Sequence, residues 1–331
     1  MPVMPGLLRN LRGPAARALA AARLRLRQPR TVIASVPARG EPPAGPPGFD
    51  AGLAWELLLR QCASGPRHPG GAGRAPTRRL ILDRMRACAA EVAVQDWWQP
   101  VDRGTGAGRR YPMTNVLARF GPAGHPPDLL LATHWDTRPV ADADPVAARR
   151  GEPPAGANDG GSGVAVLLEL ARVLRAEPPP RAVALAFLDG EDLGEHCYGG
   201  RLFARSLRSP EGARWRPRRA VVIDMVGGAE LRCTTDAVSV ANAPGLWHEV
   251  HEHAAALGLE RYFHGPRGRV TDDHVPLARA GVPSIVLIDG GYPHRHTVDD
   301  TVARCSADSL AAVGRVLEGL VRAAAPSPAA R

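Results

Sequence analysis

The chain has 331 residues, 44% hydrophobic and 23% charged, enough for one large or two modest domains and too apolar for wholesale disorder. Its 42 basic residues against 33 acidic ones give +9, but eight arginines and two acids within residues 1–50 supply +6 of that. The remainder carries only +3, aromatics make up 5%, and no run of about 18 apolar residues occurs, so neither a nucleic-acid surface nor a transmembrane helix is expected.

Residues 15–27 alternate arginine with alanine and leucine, and residues 37–48 are rich in proline and glycine. The alternation suits a segment lying on an anionic surface, but it lacks the uncharged apolar core of a secretory signal. The sequence therefore shows no clear signal peptide and reads as cytoplasmic on that ground alone, with the compartment left open between cytoplasm and export, 1–48 a disordered extension, 49–325 a single catalytic domain and 326–331 a tail. Cys62, Cys88, Cys197, Cys233 and Cys305 show no C-x-x-C spacing, which disfavours a zinc ribbon or a disulfide-dense scaffold.

The first amphipathic helix is predicted over 78–93, followed by Trp97-Trp98, which read as core or sheet-edge packing. Short runs rich in Val, Ile, Leu and Ala predict buried strands over 129–133, 182–188, 220–223 and 284–288. Helices are predicted over 163–174, which is apolar on nearly every face, and over 243–257 and 307–323. Alternating strands and helices predict an α/β fold, a three-layer α/β/α sandwich around a mostly parallel twisted sheet. In such folds ligands sit at the carboxyl ends of the strands.

Each predicted strand leads into groups able to bind metal or move protons. The first ends in His134-Trp135-Asp136, where the carboxylate can fix the histidine tautomer and Trp135 can line a pocket. A glycine-rich turn at 156–163 then places Asp159 at the mouth of a helix, where it is either a ligand or, like Ser162, a cap. The second strand runs into Glu191-Asp192, either a solvated pair or a buried one in which a cation holds one acid and the other carries a proton. Asp224 follows the third strand directly. Asp272-Asp273-His274 precedes a short helix, either as part of the site or as its cap, and His296-Thr297-Val298-Asp299-Asp300 closes the set. Two histidines with three carboxylates suit zinc. His248, His251 and His253 lack the H-E-x-x-H register and read as an exposed helix face.

Together, H-W-D, G-A-N-D-G-G-S-G, D-G-E-D, the strand ending in Asp224 and H-T-V-D-D resemble the zinc metallopeptidase family of bacterial leucyl aminopeptidase and glutamate carboxypeptidase, to which animal-type glutaminyl cyclases also belong. The resemblance spans about residues 55–320. Residues 270–276, 296–300 and Tyr198-Gly199-Gly200-Arg201 are more similar to the cyclase branch.

The resemblance implies that Asp159, Asp192 and His296 hold zinc, that Glu191 is the general acid/base, and that Asp224 and Asp272 form a relay with it. In two-zinc relatives His134 and Asp224 would hold a second ion bridged by Asp159. It implies a glutaminyl cyclase with one zinc, making pyroglutamate at peptide or protein N-termini, or alternatively an aminopeptidase with two. A monomer is expected, without stable membrane insertion. Two positions depart from the cyclase pattern: Asp192 stands where glutamate is usual, and Arg295 stands where a tryptophan walls the pocket.

Overall fold

The computed structural model describes residues 33–104 and 107–323. The expected tail at 326–331 and most of the expected extension lie outside the described residues. The part of the extension that is described includes a strand, β1 (Ala34–Val36), so ordered structure begins ahead of Phe49. Residues 46–48 are also tied down, because Arg172 donates to the carbonyls of Pro46 (2.9 Å) and Gly48 (2.7 Å).

Two helices follow, α1 (Ala51–Ala63) and α2 (Arg74–Cys88). α1 is capped by Asp50, which accepts from the Leu53 amide at 2.8 Å. The helix expected over 78–93 starts a turn earlier and stops at Cys88, where Ala89 becomes extended. Residues from Glu91 onward form a long hairpin, β2 (Glu91–Val101) and β3 (Arg109–Phe120). Trp97 packs there against Val101, Met113, Leu193 and Tyr198, whereas Trp98 is 58% exposed.

The four strands expected from sequence are present as β4 (Leu129–His134), β5 (Val183–Leu188), β6 (Arg219–Asp224) and β7 (Ser284–Ile288). The sheet order is β1-β2-β3-β5-β4-β6-β7. β5, β4, β6 and β7 are mutually parallel, and β1, β2 and β3 add an antiparallel flank, so the sheet is mixed rather than parallel throughout.

The intervening helices are α3 (Gly163–Ala176), α4 (Tyr198–Ser206), α5 (Pro210–Ala213), α6 (Ala237–Asn242), α7 (Pro244–Ala256), α8 (His274–Arg279) and α9 (Ala307–Arg322). Strand periodicity sorts them into two layers. Leu129, Leu131, Leu185, Phe187 and Ile223 face one side, where α1, α2, α3, α7 and α9 pack. Leu130, Ala132, Ala186, Leu188 and Val222 face the other, against α4, α8 and Trp215. The result is the expected three-layer sandwich. α3 is buried on almost all faces, and its Glu169 is neutralised by Arg172 at 2.6 Å.

β4 lies at the point where the chain turns both ways: it is followed by β5 on one flank and β6 on the other. The crevice at the carboxyl ends of these strands is therefore the place where a doubly wound sheet gathers ligands.

Candidate metal centre and catalytic site

Every side chain expected at the site converges on that crevice. His134 ends β4, Glu191 and Asp192 follow β5, Asp224 ends β6, and His296 lies beyond β7. All are buried, as are Asp159 and Asp272. Burial removes the alternative of a solvated Glu191-Asp192 pair. The capping alternatives also fall: Ser162 makes no side-chain cap to α3 and instead donates to the Asn158 carbonyl at 2.6 Å. The Asp159 carboxylate points at two histidines.

His134 Nε2 lies 3.0 Å from Asp224 Oδ1 and 3.2 Å from Asp159 Oδ1. On the other side of Asp159, His296 Nε2 lies 3.5 Å from its Oδ2 and 3.1 Å from Asp192 Oδ1. Asp159 thus joins two three-residue donor groups, Asp159–Asp192–His296 and His134–Asp159–Asp224, each with its donor atoms within 4.8 Å of one another. Four ligands about 2.1 Å from a tetrahedral zinc would stand about 3.4 Å apart, so these separations fit that ion. Asp192 Oδ2 is buried with no hydrogen-bond partner among the described residues. Although one methylene shorter than glutamate, Asp192 still reaches His296.

The electrostatics point the same way. Burial and then the Asp192 charge raise the Asp159 carboxyl to about 7. Burial, followed by Asp192, likewise lifts Glu191 well above the usual carboxyl range. Asp272 is raised by burial and by Asp224, and Asp273 by burial to about 7. For Asp192 burial opposes ionisation, yet the hydrogen bond and charge of His296 hold it below the usual range. A concentration of buried acids offset only by His134, His296 and, 3.4 Å from Asp192, Arg138 is costly by itself and is relieved by a divalent cation.

No hydrogen bond joins Glu191 to Asp224 or Asp272 among the described residues. Asp224 is engaged with His134, while Asp272 Oδ1 accepts the Asp273 amide and its Oδ2 has no partner. The Asp272 charge raises the proton affinity of Glu191, and the Asp224 charge raises that of Asp272. Trp135 does not line the pocket. It is fully buried, donates to the Thr114 carbonyl at 3.0 Å and lies under the Arg74 guanidinium. His248, His251 and His253 occupy α7, where His248 is paired with Glu252, and none of the three belongs to a donor group among the described residues.

Several residues support the site through contacts that the sequence does not announce, although Asp136 and Asp300 belong to the H-W-D and H-T-V-D-D motifs. Asp136 accepts from the amides of both Glu191 (3.1 Å) and Asp192 (3.3 Å), fixing the acidic turn from the neighbouring strand. Asp300 accepts from the amides of Asn158 and Asp159 and from the Tyr292 hydroxyl. Arg67 is completely buried and forms no ion pair with a carboxylate among the described residues. Its guanidinium donates to the carbonyls of Trp135, Ala155, Gly156 and Asp159, so one side chain staples the His134 and Asp159 loops together.

The Asp159 loop needs its glycine. Gly160 has φ 79°, and a Cβ there would sit 2.7 Å from the Asp136 carbonyl oxygen and 2.9 Å from the His134 ring. His296 (φ 58°) and Met225 (φ 49°), next to Asp224, are also left-handed, which is backbone strain held at the donor positions.

Comparison with known proteins agrees with this geometry. The sequence pattern described as peptidase family M28 matches residues 115–321. A glutaminyl-peptide cyclotransferase of Bos taurus is 26% identical over 292 residues, covering 77% of this chain and 77% of its own. Among solved structures, the glutaminyl cyclase of Porphyromonas gingivalis is 34% identical with a TM-score of 0.73, covering 82% of this chain and 97% of that one. A Zn-dependent exopeptidase of Parabacteroides distasonis is 27% identical with a TM-score of 0.76, covering 84% and 99%.

Proposed function

Because the chain belongs to peptidase family M28, we propose that it is a zinc-dependent glutaminyl-peptide cyclotransferase, converting N-terminal glutamine to pyroglutamate with release of ammonia. The observation that carries this reading is its likeness to a bacterial glutaminyl cyclase over nearly the whole of that enzyme. The substrates would be peptide or protein N-termini.

In this reading Asp159, Asp192 and His296 hold the zinc, which when bound supplies Lewis acidity toward the γ-carbonyl of the substrate glutamine. Glu191 takes a proton from the attacking α-amine and returns it to the departing ammonia. Its position beside Asp192 and its burial favour such a role, because a raised proton affinity lets one carboxyl act as base and then as acid. Asp272 biases that proton transfer through its charge, and Asp224 acts on it through Asp272. The nucleophile and the carbonyl belong to one residue, so holding that residue in a folded-back conformation contributes much of the rate.

A second reading is supported by the other donor group. His134, Asp159 and Asp224 could hold a second ion, and then the chain would be an aminopeptidase that uses Glu191 to activate water. Zinc titration separates the two. After removal of metal with a chelator, ammonia release from a glutaminyl peptide is expected to return fully at one equivalent of zinc per chain. Recovery that needs two equivalents and releases free amino acid instead would favour the aminopeptidase.

A further inference from the structure

The turn that follows the acidic pair folds back onto Glu191. The Cys197 amide donates to the Glu191 carbonyl (3.1 Å), the Tyr198 amide to the Gly190 carbonyl (3.1 Å) and the Gly199 amide to the Asp189 carbonyl (2.9 Å). To make this return, His196 and Cys197 both adopt left-handed backbone conformations, φ 62° and 56°. Neither conformation is one that a non-glycine residue favours, and each persists only where the surroundings over-determine it. The double left-handed step brings Cys197 Sγ to 3.3 Å from Glu191 Oε1. The thiol is 1% exposed. Burial and then the Glu191 charge push its pKa well above the usual thiol value, so it remains an S–H donor.

We propose that Cys197 is a positioning residue for the reaction assigned above: its S–H donates to Glu191 Oε1 and orients the carboxyl so that the other oxygen exchanges the proton. This rests on the acid/base role of Glu191. A thiol suits the task because it is a weak donor. It fixes the direction of the carboxylate while leaving most of its basicity, whereas a hydroxyl or backbone amide would stabilise the charged form more strongly.

The test compares full-length wild type, Cys197→Ser and Cys197→Ala for kcat, KM and zinc content with a glutaminyl peptide. Cys197→Ala is expected to lower kcat about tenfold, with KM within about twofold and zinc content unchanged. Cys197→Ser, which restores a donor, is expected to stay within about threefold of wild-type kcat. An alanine variant within twofold of wild type, a serine variant as poor as alanine, or loss of zinc in either variant would overturn the proposal.

If the wild type leaves the glutaminyl peptide unchanged but releases leucine from a leucyl anilide, the cyclase reading fails. The same comparison is then read on leucine release, because Glu191 carries the proton in both reactions. A wild type active on neither substrate would overturn both.

Discussion

Replacing Glu191 with glutamine is expected to lower kcat for ammonia release by about a thousandfold while zinc content stays at the wild-type level. Glutamine keeps the shape of the side chain and removes its ability to take up a proton, so the loss measures general acid/base catalysis, worth about 100- to 10,000-fold. Steady-state ammonia release and metal analysis on the same preparation check both halves. The metal half is informative because Glu191 also stands within 4.8 Å of donor atoms of His134 and Asp192. Loss of zinc in Glu191→Gln would make Glu191 a ligand and remove it from proton transfer.

Replacing Asp159 with alanine is expected to abolish zinc binding and to reduce turnover by about a thousandfold or more, since Lewis-acid stabilisation is worth several kcal/mol and each 1.36 kcal/mol is tenfold. Asp159 is the one carboxylate shared by both donor groups, Oδ1 facing His134 and Oδ2 facing His296. Its removal leaves neither group complete. The effect on stability should run the other way. In metal-free protein the Asp159 carboxyl is buried beside Asp192 and Asp224, which disfavours its charge. Metal-free Asp159→Ala should therefore unfold at higher denaturant concentration than metal-free wild type, while zinc should raise the midpoint of wild type alone. Retained zinc, or a lower midpoint without metal, would contradict the shared-ligand assignment.

The parallel core of the fold and the convergence of the site were legible in the sequence for one reason. A buried parallel strand is an unbroken apolar run, and in β4, β5 and β6 the polar residues that end the run stand at the crevice. Reading where each apolar run stops thus located His134, Glu191, Asp192 and Asp224 before any contact was known. The β2–β3 hairpin was not legible. Glu91–Val101 has a mixed burial pattern and follows a helix whose amphipathic rhythm runs on into Val92, so its first residues carry a helical pattern.

The contacts that support the site were illegible for a different reason. Arg67 lies 68 residues from Trp135 and 92 from Asp159, and it binds backbone carbonyls, which every residue type possesses. Asp136 and Asp300 likewise act on backbone amides. Cys197 was visible only as one of five scattered cysteines. Its relation to Glu191 depends on two left-handed residues that local sequence does not announce.

The most direct measurement is the identity of the product formed by zinc-loaded protein from a peptide beginning with glutamine, followed by mass spectrometry and an ammonia assay. The account predicts a pyroglutamyl peptide and one equivalent of ammonia, with no free glutamine. Free glutamine and a peptide shortened by one residue would contradict it.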